Sequence, residues 1–136
     1  MELFQSWKTN NARDEVALQS LRPELSHLEG QYFSDVEAFQ NRTLRPIIKM
    51  QHDSLLMLAA SNSLFVALRG KAKTEEAYKT DVIKFFKLQS ALKNQLTGMI
   101  IGHFTMEEWK SYTENSTEIN KRIIQMIGER VSAATW

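Results

Sequence analysis

The stretch LLMLAASNSLFVAL, Leu55–Leu68, is fourteen consecutive residues without a charge, in a chain where charged residues make up 24%. As an α-helix it would be about 21 Å long, which is short of the ~30 Å hydrocarbon core of a bilayer. We therefore expect protein rather than membrane to cover it. Its apolar side chains are distributed around the whole helical wheel, and this pattern predicts a helix that is buried on more than one face.

The side of this stretch that faces away from the expected core is a candidate interface. It consists of Leu56, Met57, Ala60, Leu64, Ala67 and Leu68. Exposed aliphatic patches are uncommon on soluble monomers, and two-fold dimers are the commonest oligomers. We expect a second copy of the chain to cover this side. The alternative cover is the N-terminal segment, with its apolar residues Leu3, Phe4 and Trp7.

Ser61, Asn62 and Ser63 interrupt the apolar stretch. One interpretation is a polar contact to a ligand inside the fold. The other is a thin solvent-facing strip, or serine hydroxyls that bond to carbonyl oxygens one turn earlier. The second interpretation is favoured.

Apolar residues recur at spacings of three and four along most of the chain, which predicts an all-α fold. The five glycines and two prolines are too few for the many turns of an all-β protein. Four long helices are expected, over residues 11–41, 46–69, 75–103 and 106–132. Because short loops place successive helices antiparallel, the expected architecture is one domain, residues 1–136, folded as an up-down-up-down four-helix bundle.

Proline and glycine set three of the expected boundaries. Pro23 kinks or splits the first helix, and the unbroken apolar phase across it favours a kink. Arg45-Pro46 begins the second helix, because the residue before a proline avoids helical angles and proline suits a first turn. Gly70 is placed to cap the end of that helix.

Hydroxyl and acidic residues set the remaining boundaries. Thr74 is the expected N-cap of the third helix. Thr105 and Glu108 have the spacing of a capping box at the start of the fourth. That helix is expected to fray before the final residues SAATW.

Composition excludes several classes of function. The chain has no cysteine, which removes disulfides, cysteine-ligated metal centres and thiol catalysis. A net charge of +1 gives no strong attraction to nucleic acid or to anionic lipid. The N-terminal residues MELFQSWKTNNARDE lack the apolar segment of a secretory signal, so a cytoplasmic location is expected.

No catalytic or metal-binding pattern emerges from the titratable residues. His27, His52 and His103 are expected at different heights in the bundle, too far apart to share a metal ion. Paired acidic residues lie in first helical turns, where the helix dipole explains them. We expect no cofactor and no enzyme activity. Gly98 and Gly102 lie one turn apart, which either admits a close backbone neighbour or merely loosens a helix end.

Three functional hypotheses follow. The first is a non-catalytic bundle in a regulatory or adaptor role that acts through protein–protein contact, as a homodimer or with another protein. The second is a small-molecule-binding or sensory bundle with a core pocket lined by Phe65, Phe85, Met99, His103 and Tyr112. The third is a regulator that binds nucleic acid.

Overall fold

The computed structural model describes residues 14–25 and 32–136, and within them every regular element is a helix, with no strand. The expected all-α class is therefore confirmed. Leu3, Phe4 and Trp7, which were the alternative cover for the apolar stretch, lie outside the described residues.

The helices are shorter and more numerous than the sequence pattern predicts. In chain order they are α1 (Glu15–Ser20), α2 (Asp35–Phe39), α3 (Arg45–Met50), α4 (His52–Ala60), α5 (Ser63–Lys71), α6 (Glu75–Leu88), α7 (Ser90–Ile101), α8 (Met106–Glu114) and α9 (Ser116–Thr135). Single-residue or two-residue interruptions separate several of them, at Gln51, Ser61–Asn62, Gln89 and Asn115.

The first expected helix is split rather than kinked. Helix α1 starts at the cap Asp14, whose carboxylate accepts from the Ala17 N–H at 3.1 Å, and it ends at Ser20. Residues 21–25 are not helical, so Pro23 lies in a connection and not in a first turn. Proline disfavours helical angles at the residue before it, which explains why the helix does not continue through Arg22.

Pro46 lies in the first turn of α3, as expected, but no loop precedes this helix. A π-helical segment, Gln40–Leu44, joins α2 to α3, and the Arg45 N–H donates to the Gln40 carbonyl five residues back. In a regular α-helix the ring of a proline clashes with the carbonyl four residues earlier. The wider π turn before Pro46 relieves that conflict, so the helix passes through the proline uninterrupted.

Gly70 is not the cap of its helix. Helix α5 runs one residue further, to Lys71, and its C-cap is Ala72 in an extended conformation. Gly70 lies within the helix and does not adopt the left-handed backbone that favours glycine at a cap. The chain then extends directly to Thr74, whose hydroxyl accepts from the Ala77 N–H at 3.1 Å and confirms the expected N-cap of α6.

The final residues are held in the helix rather than frayed. Helix α9 continues to Thr135, whose hydroxyl lies 2.7 Å from the Tyr78 hydroxyl. The Arg69 guanidinium lies 3.6 Å from the Trp136 ring centroid, and its Nε donates to the Trp136 carbonyl at 2.9 Å. These contacts from α5 and α6 explain why the expected fraying is wrong.

The centre of the core is α9, not the uncharged stretch. Its buried positions recur at spacings of one, three and four: Ile119, Ile123, Ile124, Ile127, Gly128, Val131 and Ser132. This wide apolar face packs most extensively on α6, and also on α4 and α7. A helix that contacts several neighbours at once needs such a face, so α9 organises the fold around itself.

Candidate functional site

The uncharged stretch is covered on one side only. Leu55 and Ala59 of α4 and Phe65 of α5 are buried, as the helical wheel predicts. On the other side Met57 is 73% exposed, Leu64 61% and Val66 55%. The stretch therefore presents aliphatic side chains to the surface of the described chain.

The six candidate interface residues divide into two groups. Met57, Ala60, Leu64 and Ala67 are exposed, whereas Leu56 and Leu68 are half-buried and pack against the core. Val66 is also exposed, although an unbroken helix would place it on the same side as the buried Leu55. The cause is the break between α4 and α5, which shifts the helical phase. We define the apolar surface as the exposed apolar residues of the stretch: Met57, Ala60, Leu64, Val66 and Ala67.

The polar residues in the middle of the stretch make local bonds. The Ser61 hydroxyl donates to the Leu58 carbonyl at 2.7 Å. The Asn62 side chain accepts from the backbone N–H groups of Leu64 and Phe65, at 3.0 and 3.1 Å. Asn62 therefore caps α5 and divides the stretch into two helices, which agrees with the local interpretation of these residues.

The five residues predicted to line a core pocket make contacts in different parts of the fold. Phe65 packs on Phe85 and Phe86, with ring centroids 6.3 and 5.6 Å apart. Tyr112 belongs to a second aromatic group, 5.5 Å from Phe104.

Met99 and His103 meet at a third place. The Gln51 side-chain amide donates to the Met99 carbonyl at 3.4 Å and lies 2.8 Å from His103 Nε2. Phe65 and Tyr112 therefore belong to different aromatic groups, while Met99 and His103 share the contact with Gln51.

No other part of the described chain packs closely against Gly98. An added Cβ there would have nothing within 4 Å, and Gly102 is the C-cap of α7. The two glycines mark the end of a helix, as the simpler interpretation holds.

An ion pair between Arg22 and Glu108 closes one end of the fold. Both guanidinium NH2 groups of Arg22 donate to the Glu108 carboxylate at 2.7 Å, and one also donates to the His103 carbonyl. The Thr43 hydroxyl donates to the same carboxylate at 3.2 Å. The Thr105 N–H and hydroxyl complete the expected capping box with Glu108.

The environment of Glu108 favours its charged form. Burial raises the pKa of this carboxyl, but hydrogen bonds from Arg22 and the Thr105 N–H, together with the Arg22 charge, outweigh burial. The net result is a pKa below the ordinary value of glutamate. The arrangement is a structural anchor, because its hydrogen bonds already occupy the carboxylate.

A basic cleft lies between the π-helical segment, α3, α4 and α9. Its volume is about 620 Å³, and its polar lining consists of Gln40, Arg45, His52, Arg122, Gln125, Glu129 and Arg130. Its apolar lining includes Ile48, Met126 and Ala133. This volume falls within the range of small-molecule sites.

The arginines of the basic cleft differ in their partners. Arg122 pairs with Glu118 at 2.9 Å. Arg45 donates to the neutral Asn41 side chain at 3.1 and 3.2 Å, and Arg130 Nη1 lies 3.4 Å from His52 Nδ1. In the described part of the chain neither Arg45 nor Arg130 has a carboxylate within ion-pair distance. Burial and then the nearby charge of Arg45 lower the pKa of Arg130.

One wall of this cleft follows a pattern in the sequence. Arg122, Gln125, Met126, Glu129, Arg130 and Ala133 follow the helical period on the side of α9 opposite its isoleucines. That pattern locates one wall of the cleft. The other wall comes from Arg45 and His52, which are distant in sequence, and no spacing rule joins them to α9.

No helix in the described residues is long and apolar enough to cross a bilayer. Residues 14–25 and 32–136 also contain no group of three or more metal-binding side chains. His27 lies outside these residues. Comparison with protein-family models, with curated proteins and with solved structures finds no significant match.

Proposed function

We propose that this protein acts without catalysis, through protein–protein contact, and that its first partner is a second copy of itself. The observation that carries the proposal is the exposure of Met57, Leu64 and Val66 in a stretch without charges. Charged residues are depleted at the centres of interfaces, and methionine is enriched there. The apolar surface has this composition.

The apolar surface needs additional area around it to make a stable dimer. A standard interface buries roughly 800 Å² on each partner, more than the five side chains of the apolar surface supply. The half-buried Leu56 and Leu68 and the exposed Ser54, Ser61 and Ser63 are close to these residues in sequence, in or next to α4 and α5. Together they would give an apolar centre with a polar rim, the usual anatomy of an interface.

We propose further that the helices form an antiparallel up-down-up-down bundle. Short connections support this arrangement, since residues 72–74 join α5 to α6 and residues 102–105 join α7 to α8. The packing of α5 on α6 and of α9 on both α6 and α4 supports it as well. In this arrangement α4 and α5 would lie at the outside, with the apolar surface available to a partner.

The test is the solution mass across a concentration series, measured by light scattering. The variant Met57→Glu with Leu64→Glu places two charges on exposed positions, so it should fold and remain monomeric. Leu88→Glu is the matched control, because Leu88 is 68% exposed at the end of α6 and lies outside the stretch. The wild type and the control should both have twice the mass of one chain.

Two results would contradict the dimer. One is a wild type that stays monomeric at every concentration. The other is a doubly charged variant that dimerises as well as the wild type. A dimer should also show a melting temperature that rises with protein concentration, because association stabilises the folded chain by mass action.

A further inference from the structure

The basic cleft holds more positive than negative charge, because Arg45, Arg122 and Arg130 line it with a single carboxylate from the described chain, that of Glu129. Arg45 and Arg130 both line it, close enough for the charge of Arg45 to act on Arg130, and their side-chain hydrogen-bond partners are Asn41 and His52 rather than carboxylates. Placing two guanidinium groups together in a partly buried site costs stability, because their charges repel and each loses water. An anion bound between them would remove that cost.

We propose that the basic cleft binds a small organic phosphate monoester, with its phosphate between Arg45 and Arg130. The inference is independent of the dimer, since the cleft is lined by residues of α3, α4, α9 and the π-helical segment and by none of the apolar surface.

The charge argues for phosphate. A phosphate monoester has a second pKa near 6 and carries close to two negative charges at neutral pH. Arg45 and Arg130 supply two positive charges in planar forks that match phosphate oxygens. His52 and the amides of Gln40 and Gln125 line the same cleft and offer further hydrogen bonds.

The size and the apolar lining argue for an organic group on the phosphate. A cleft of about 620 Å³ is far larger than one phosphate needs. Ile48, Met126 and Ala133 provide an apolar wall beside the arginines. The ligand class is thus a small molecule with one dianionic end and one apolar end.

The surroundings of the cleft favour the approach of anions. A second cleft, of about 730 Å³, shares Arg122 and Gln125 with the first and adds Lys87, Lys93 and Lys121. The net charge of the whole chain is only +1, so positive charge is concentrated on this side of α9. Such a local field raises the association rate of anionic ligands.

The experiment measures the melting temperature and the dissociation constant with three probes at constant ionic strength and pH 7.5. Phenyl phosphate supplies the dianion and the ring, inorganic phosphate the dianion alone, and benzenesulfonate the ring with one negative charge. We expect saturable binding that is tightest for phenyl phosphate. Equal binding of benzenesulfonate, or no saturable binding of phenyl phosphate at millimolar concentration, would overturn the proposal.

The variants Arg130→Gln and Arg45→Gln test the site. Each should weaken phenyl phosphate binding between about tenfold and a hundredfold, the range for a hydrogen bond to a charged group. Lys84→Gln is the matched control, because it removes an exposed positive charge that lines neither cleft, and it should bind normally. If one arginine variant does not fold, the other carries the test.

The same variants give a second readout without ligand. Arg130→Gln should melt at a temperature no lower than the wild type, because it removes a partly buried charge that Arg45 repels. Unchanged binding of phenyl phosphate in both arginine variants would contradict the proposed phosphate site. So would a short DNA duplex that displaces phenyl phosphate and depends on Lys87 and Lys93, since that result would assign the surface to nucleic acid.

Discussion

Gly128 of α9 and Ile83 of α6 lie so close together that a methyl group at Gly128 would lie 2.6 Å from Ile83 Cγ1. It would also lie 3.3 Å from the Ile83 Cα, so rotating the isoleucine does not make room. The pair therefore sets the distance between the two helices with the most extensive mutual packing.

The first prediction is that Gly128→Ala destabilises the protein, although alanine favours helix formation. Overpacking of a core costs about 1–3 kcal/mol, and the gain in helix propensity returns at most about 1 kcal/mol. Urea denaturation measures the difference. The control Gly98→Ala, at a helical site with open space around it, should be stabilised by up to about 1 kcal/mol.

The double variant Gly128→Ala with Ile83→Ala tests the cause. Ile83→Ala removes Cγ1 and with it the 2.6 Å clash, and leaves only the tight 3.3 Å approach to Cα, so the two effects should be less than additive. Additive losses would mean that Ile83 is not the obstacle.

The second prediction concerns the Arg22–Glu108 pair, whose side chains are only 9% and 13% exposed. Glu108→Gln leaves the Arg22 charge without its partner and should cost about 3 kcal/mol. Glu76→Gln is the control, because its pair with Lys79 is exposed and 3.6 Å long, and such pairs contribute at most about 1 kcal/mol. Denaturation at neutral pH measures both losses.

The pair also predicts a dependence on pH. Since the folded-state pKa of Glu108 is lowered, its stabilisation is fully present above the unfolded pKa of about 4.3. It is lost as pH falls through the folded-state pKa, because the unfolded chain then binds the extra proton. Stability curves of wild type and Glu108→Gln should therefore converge on acidification, and parallel curves would contradict the assignment.

The third prediction is that Asn62→Ala loosens α5. The side chain of Asn62 satisfies two backbone N–H groups, and the loss of an N-cap costs about 1 kcal/mol. Hydrogen exchange should increase at Leu64 and Phe65 before the core is affected. Asn62→Asp keeps the accepting oxygen, so exchange in that variant should resemble the wild type.

The fourth prediction is that Tyr78→Phe releases the end of α9. The change removes the 2.7 Å contact with the Thr135 hydroxyl and leaves the ring in place against Trp136. We expect a loss of about 1 kcal/mol and faster hydrogen exchange over residues 133–136. Thr80→Val is the control, because the Thr80 hydroxyl bonds within its own helix. Equal hydrogen-exchange rates over residues 133–136 in the two variants would show that the contact between Tyr78 and Thr135 does not hold the end of α9.

Local chemistry was predictable from the sequence wherever the partners lie within a few residues. Thr74, and Thr105 with Glu108, cap their helices as expected, because capping depends on positions three residues apart. Pro46 shows the limit of such rules, since a π turn accommodates it inside a helix. The helix interruptions at Gln89 and Asn115 involve neither proline nor glycine, so the sequence pattern did not predict them.

Contacts between residues that are distant in sequence could not be predicted. Glu108 was expected as a capping residue, but Arg22 lies 86 positions away and no periodicity connects them. The same holds for the basic cleft, which Arg45 and Arg130 line together only because α3 and α9 are neighbours in the fold. The apolar surface was the part of the candidate site that one continuous segment could indicate.

The central position of α9 has a consequence for how the chain is made. Ribosomes release a protein from its N-terminus, at roughly 5–20 residues per second. The apolar faces of α4, α6 and α7 are therefore synthesised before the helix that covers them, and they remain in contact with water or with chaperones until α9 emerges. Folding of this protein during translation therefore waits for α9.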